Sequence, residues 1–195
     1  QKTYNFLKIK LCYRTYWKQW SALLTICLLV FACSSDSSDD DTNPIDDTNP
    51  VYLDANGVTI KARDWANVGE SGTINGITYT IVDNGTLIDM INNGDDLSRV
   101  CTSRVTSTEF MFLNNESFNQ PIGNWDVSNV EQMSRMFRGA KSFNQPIGDW
   151  DVSNVEQMGY MFQDAESFNQ PIGDWDVSNV DYMGSMFSGY DGTIN

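Results

Sequence analysis

The sequence predicts an α/β solenoid, a stack of 25-residue coils each made of short extended segments and one short helix, preceded by a small β-hairpin/helix cap. Three observations carry this expectation. First, a 25-residue stretch starting at Ser117, Ser142 and Ser167 is written three times in register, with sixteen positions identical in every copy and nine varying. Units this small cannot bury their own apolar faces, so they must stack on one another. Second, Val130, Met133, Met136, Phe137 and Ala140 fall at spacings of three and four, the period of one helix face. Third, Pro121 and Gly123 punctuate a first half in which Phe118, Ile122, Trp125 and Val127 alternate with polar residues, as short extended segments and turns do.

From the N-terminus, residues 1–32 read as a signal peptide. Lys2, Lys8, Lys10, Arg14 and Lys18 stand without an acid, and an apolar run of about eleven residues follows, too short to span a bilayer unaided. An ordinary secretory peptide, or an uncleaved anchor helix extended by Trp17 and Trp20, are the competing readings. Residues 33–50 hold Cys33 and then a serine- and aspartate-rich tract that cannot bury enough apolar surface to order itself, so a disordered acidic linker is expected.

Residues 51–100 form the cap segment. Two β-rich runs around Asn75-Gly76 mark a hairpin over residues 73–82, and residues 84–94 read as a short helix carrying Leu87, Ile88, Met90 and Ile91, with Gly94 as its stop. About fifty residues are few for an independent core, so docking on the first coil is expected, with a separate ligand domain as the alternative. The array occupies residues 101–191. Stepping 25 residues back from Val130, Met136 and Phe137 lands on Val105, Met111 and Phe112, so one degenerate coil precedes the three full ones. A short helix is expected over residues 129–139 of the first full copy, opened by a capping box of Ser128 with Glu131 that recurs as Ser153 with Glu156. Residues 192–195 read as a truncated tail, and with Gln at position 1 they suggest a fragment.

The pattern FNQPIGxWDVSNVxxMxxMF, with the lead-in from Val51 to Asp83, resembles the repeats of BspA-like leucine-rich-repeat bacterial surface proteins. The resemblance implies a right-handed leucine-rich-repeat-like solenoid on a cell surface, with adhesion or partner binding as its role and no catalytic residue. The sequence departs from the pattern at Arg104, where later copies have Asn129, Asn154 and Asn179, so the first coil is expected to lack that turn. Val30 to Cys33 resembles a lipobox, which implies cleavage before Cys33 and its acylation. The acidic tract behind it resembles an export signal to the outer face of the outer membrane, and outer-membrane lipid anchoring on the cell surface is the expected location.

Loss of residues 1–32 removes five bases and no acid, leaving 26 acids against 7 bases. Nucleic acid, whose binding needs Lys and Arg against phosphates, is therefore not an expected partner, and membrane contact is expected through the lipid alone. The chain has no His, the commonest general base and transition-metal ligand. No enzyme activity and no cofactor are expected. Cys101, at a position held by Asp126, Asp151 and Asp176 later on, is either a reactive or intermolecular thiol or a small buried residue.

Candidate contact residues come from the varying positions: Arg135, Arg138 and Lys141, which form a basic cluster, then Tyr160, Gln163, Tyr182 and Tyr190. They are either a binding surface for a host or neighbouring-cell protein or glycan, or solvated positions under no constraint. Asp149, Asp151, Asp174 and Asp176 are weak candidates for Ca²⁺, whose oxygen ligands they would supply in every coil; Asn124 breaks that pattern in the first copy, and a metal-free array is the expectation. The ladder of Trp125, Trp150 and Trp175 is expected in the core, with a sugar platform as the alternative. The expected function is a surface-anchored, non-enzymatic binding or adhesion protein. A calcium-stapled scaffold, and a carbohydrate-binding module or accessory part of a glycan-degrading system, are the alternatives.

Overall fold

The computed structural model describes residues 48–189. It begins with β1 (Val51–Leu53) and β2 (Ile60–Ala62), paired antiparallel with Val51 opposite Ala62. β3 (Ser71–Ile74) and β4 (Ile77–Asp83) form the expected hairpin, and Asn75 and Gly76 at its tip have φ of 51° and 80°. Positive φ at both tip residues matches the right-handed strand twist, which is why Asn-Gly is found there.

Helix α1 (Asn84–Asn93) follows directly. The Asp83 side chain accepts from the Thr86 amide at its start, and Gly94, at φ 74°, ends it in the left-handed conformation. The chain then returns through a single 3-10 turn, Leu97–Arg99, into β5 (Val100–Arg104), parallel to β4. The sheet order is β3-β4-β5, with α1 as the crossover.

This cap shares its core with the array. Val82, Leu87, Leu97 and Val100 belong to one buried cluster that continues through Phe112, Trp125 and Phe137 to Met186. Polar bonds fix the junction: the Trp125 indole donates to the Leu97 carbonyl at 3.1 Å, and the Ile60 amide to the Asn124 carbonyl at 2.9 Å. Cys101 is fully buried here, its thiol donating to the Ile60 carbonyl, and burial pushes its pKa up; it is the small buried residue of the two readings. Arg104 replaces the asparagine of later coils because it does something else: its guanidinium donates to the carbonyls of Arg63, Asp64 and Ala66.

The repeats lie side by side in register, with Ser107, Gln132, Gln157 and Tyr182 joined by parallel bridges at successive 25-residue steps. The helix expected over residues 129–139 does not form. Met133, Arg135, Phe137 and Gly139 instead donate their amides to Gln157, Gly159, Met161 and Gln163 of the following copy, at 2.8–3.0 Å. Between them, Met136, Arg138 and Ala140 bond back three residues within their own coil.

Two residues per coil make this possible by adopting positive φ. One set is Phe110, Arg135, Tyr160 and Ser185, the other Asn114, Gly139, Asp164 and Gly189, all between 56° and 81°. A left-handed residue closes a tight turn and cannot continue an α-helix. The spacing of three and four that mimics a helix is thus a run of three overlapping four-residue turns. The capping boxes fail with it, for Ser128 and Ser153 give their hydroxyls to Asp126 and Asp151.

Apolar side chains stack in columns inside the coils. Phe112, Phe137, Phe162 and Phe187 follow one another at 5.6 Å between ring centroids, and Phe118, Phe143 and Phe168 form a second column at 5.8–5.9 Å. Within a coil the two columns touch, as Phe137 and Phe143 do at 3.8 Å. Trp125, Trp150 and Trp175 are buried, and each indole donates to a carbonyl 28 residues earlier. The tryptophans are therefore core residues and offer no sugar platform.

Trp150→Ala should destabilise the chain by about 3–5 kcal/mol in denaturant unfolding, as large aromatic truncations in a close-packed core do. Gln163→Ala should change stability by less than ~0.5 kcal/mol, because its side-chain oxygen is buried without a partner and its removal breaks no bond.

Candidate functional site

The positive-φ position that replaces the helix also builds the most distinctive surface of the array. Its occupants are Phe110, Arg135 and Tyr160, varying residues held one above another by the coil spacing. The Arg135 guanidinium lies 5.3 Å from the Phe110 ring centroid and 4.9 Å from that of Tyr160, sandwiched between two aromatic faces. Glu109 approaches the same guanidinium at 3.9 Å. Tyr182, from a neighbouring position one coil further, continues the strip with its ring 6.3 Å from Tyr160 and its hydroxyl donating to the Tyr160 hydroxyl at 3.4 Å. That hydrogen bond, followed by burial, raises the Tyr182 pKa above the ordinary tyrosine value, against the opposing charge of Arg135. Phe110 and Tyr182 remain 44% and 45% exposed.

These varying residues constrain one another. A Cβ added at Gly159 would stand 2.3 Å from the Tyr182 ring, and one at Gly184 would stand 2.5 Å from its hydroxyl. The first copy has Ser134 at this position and no tyrosine above it, whereas the later copies have glycine where Tyr182 lies across the backbone. The Tyr182 ring thus limits what residue can stand at positions 159 and 184.

The expected basic cluster is divided. Arg135 is stacked and faces Glu109, and Lys141 pairs with Glu116 at 3.2 Å and Glu166 at 3.8 Å. The hydrogen bond that Lys141 donates to Glu116 is the main reason the Lys141 pKa rises. Arg138 is half-buried and makes no ion pair among the described residues. Gln163 is half-buried in the same position one coil on. Tyr190 and Cys33 lie outside the described residues.

Two of the four acids considered for calcium have other partners. Asp151 accepts from the amide and hydroxyl of Ser153, and Asp176 accepts from the amide of Ser178. In the first full copy Asp126 does the same with Ser128 and is buried. These aspartates cap turns. Asp149 lines a hollow between cap and array with Val58, Ile77 and Arg99, and Asp174 is exposed. Among the described residues no group of three or more metal-ligating side chains forms.

The asparagine ladders close the remaining turns. Asn129, Asn154 and Asn179 each donate to a serine carbonyl 26 residues earlier, while Asn119 and Asn144 accept from the amide 25 residues later. Among the described residues, no helix is long and apolar enough to cross a membrane.

Fold and surface together define a repeat-array protein whose invariant apolar residues form the core and some of whose varying residues form a strip of aromatic rings around a guanidinium. The chain belongs to the family described as Mycoplasma protein of unknown function, DUF285, whose model matches residues 85–193, a domain found in BspA-like repeat surface proteins. No curated protein and no solved structure matches the chain significantly.

Gly159→Ala should push the Tyr182 ring off the backbone with little loss of stability. Its signature is loss of the Tyr160–Tyr182 hydroxyl contact, read as a fall of the raised Tyr182 pKa in a phenol titration. Acid should act on the turn and helix caps. Hydrogen bonds from Thr86 to Asp83 and from Ser98 to Asp96 lower both carboxyl pKa values below the ordinary 3.8. A pKa depressed by folding contributes stability that is complete above the unfolded value and is lost as pH falls through the folded one. The melting-temperature gap between the native chain and Asp83→Asn should accordingly be widest above about pH 4 and shrink below it.

Proposed function

We propose that this chain is a surface-anchored, non-enzymatic binding protein, a BspA-like lipoprotein whose coils form a right-handed leucine-rich-repeat-like solenoid. Acylated Cys33 holds it at the outer face of the bacterial outer membrane, and the acidic linker lifts the array towards a protein or glycan of a host or neighbouring cell. The observation that carries the binding reading is the strip of Phe110, Arg135, Tyr160 and Tyr182. It combines exposed aromatic rings with a guanidinium, the residue types that dominate binding energy at interfaces, on a scaffold that holds them rigid.

Carboxylates at Arg135 and Lys141 reduce the electrostatic pull of the basic cluster, so aromatic contact is the main term. The full chain should be screened against printed glycans and immobilised extracellular-matrix proteins beside a variant carrying Phe110→Ser, Tyr160→Ser and Tyr182→Ser. Retention of the native chain and loss of the variant, with salt altering the affinity only weakly, is the expected outcome. Equal binding by both, or loss only on changing Arg138 and Lys141, would move the contact elsewhere. Anchoring is tested separately by labelled palmitate, which the native chain should take up and Cys33→Ala should not.

A further inference from the structure

We infer that the turn between β2 and β3 is a binding subsite for a neutral saccharide, with Trp65 as its stacking platform. Trp65 is 52% exposed, whereas the three tryptophans of the array are buried. It stands in a four-residue turn closed by the Ala66 amide bonding to the Arg63 carbonyl at 3.0 Å, with Asp64 beside it at the tip. Tyr52, Ala62, Arg63, Asp64 and Trp65 line a hollow of about 360 Å³. That volume suits a small ligand.

The turn is held rigidly. Arg104 donates to the carbonyls of Arg63, Asp64 and Ala66 at 2.8–3.3 Å, clamping every residue of the turn except Trp65. Ala66 is buried behind it, and the Arg63 guanidinium lies over the Tyr52 ring at 5.4 Å while its Nε donates to the Asn49 carbonyl. An arginine stands where every later coil has asparagine, and its guanidinium donates to the segment that displays the tryptophan. A large aromatic fixed in the open, with its ring stacked on no other among the described residues, is a preorganised face that needs little ordering when a ligand arrives.

The polar groups select the ligand. A pyranose presents an apolar C–H face that fits an indole and a rim of hydroxyl groups that needs donors and acceptors. The Asp64 carboxylate makes no hydrogen bond or ion pair among the described residues and can accept from hydroxyls; the Trp65 indole N–H can donate. A carboxylate in the hollow, on a chain of net charge −14, disfavours anionic sugars. The subsite contains none of the strip residues and stands whether or not the strip binds.

Isothermal titration of the full chain with cellotetraose, maltotetraose and triacetylchitotriose, with sialyllactose as the anionic comparison, tests it. At least one neutral oligosaccharide should bind and shift the Trp65 indole N–H resonance, and sialyllactose should not. Trp65→Ala should weaken binding by about tenfold or more, the scale of one lost aromatic stack, with an unchanged melting temperature. Trp65→Phe should retain part of the affinity and Asp64→Asn should reduce it. Absence of binding by all three neutral probes, binding of sialyllactose in their place, or full affinity in Trp65→Ala would overturn the inference.

Discussion

The alternation of backbone amides between neighbouring coils governs this structure. In the first full copy every second amide from Met133 to Gly139 crosses to the next copy, and the Met136 and Arg138 amides between them close turns within their own coil. Both sets can be satisfied at once only because two residues per repeat take positive φ, at Arg135 and Gly139 in the first full copy. The cost of a left-handed non-glycine residue is of order 1 kcal/mol, comparable to one net hydrogen bond. The register it permits serves four crossing bonds per coil, so the hydrogen bonds outweigh the strain.

That register determines what the side chains can do. Identical residues meet identical residues one coil away, which suits flat aromatic rings and amides, and the phenylalanine columns and asparagine ladders follow directly. Like charges meet as well where the repeat keeps them, as at Glu131, Glu156 and Asp181, which line one hollow, whereas at Lys141 the sign alternates and the ammonium sits between Glu116 and Glu166. At the strip the charge is not repeated: Arg135 is stacked between Phe110 and Tyr160, where a second arginine one coil away would repel it.

The repeat period, the Asn75-Gly76 hairpin, α1 with its stop at Gly94, and the buried tryptophans were legible in the sequence because each has a local or periodic signature. The turns were not. Arg135, Tyr160 and Ser185 are ordinary residue types that carry no mark of positive φ, and overlapping four-residue turns reproduce the apolar spacing of a helix. Strand β5 was hidden because its partner β4 lies across a helix. Within the strip, Arg135, Tyr160 and Tyr182 were found as varying positions, but Phe110 sits in the degenerate coil and becomes visible only by counting 25 residues back from Arg135. The pairing of Gly159 with Tyr182 joins two different repeat positions, which a comparison of single columns does not detect. Trp65 lies outside the repeat and had no column to place it in.

Amide hydrogen exchange resolved by residue across residues 133–139 tests the crossing register most directly. Met133, Arg135, Phe137 and Gly139 should be strongly protected and Ser134 should exchange fast, with the same contrast one coil later between Met158 and Tyr160 on one side and Gly159 on the other. Uniform protection of the whole segment, Ser134 and Gly159 included, would indicate helices in the coils and contradict the alternating ladder.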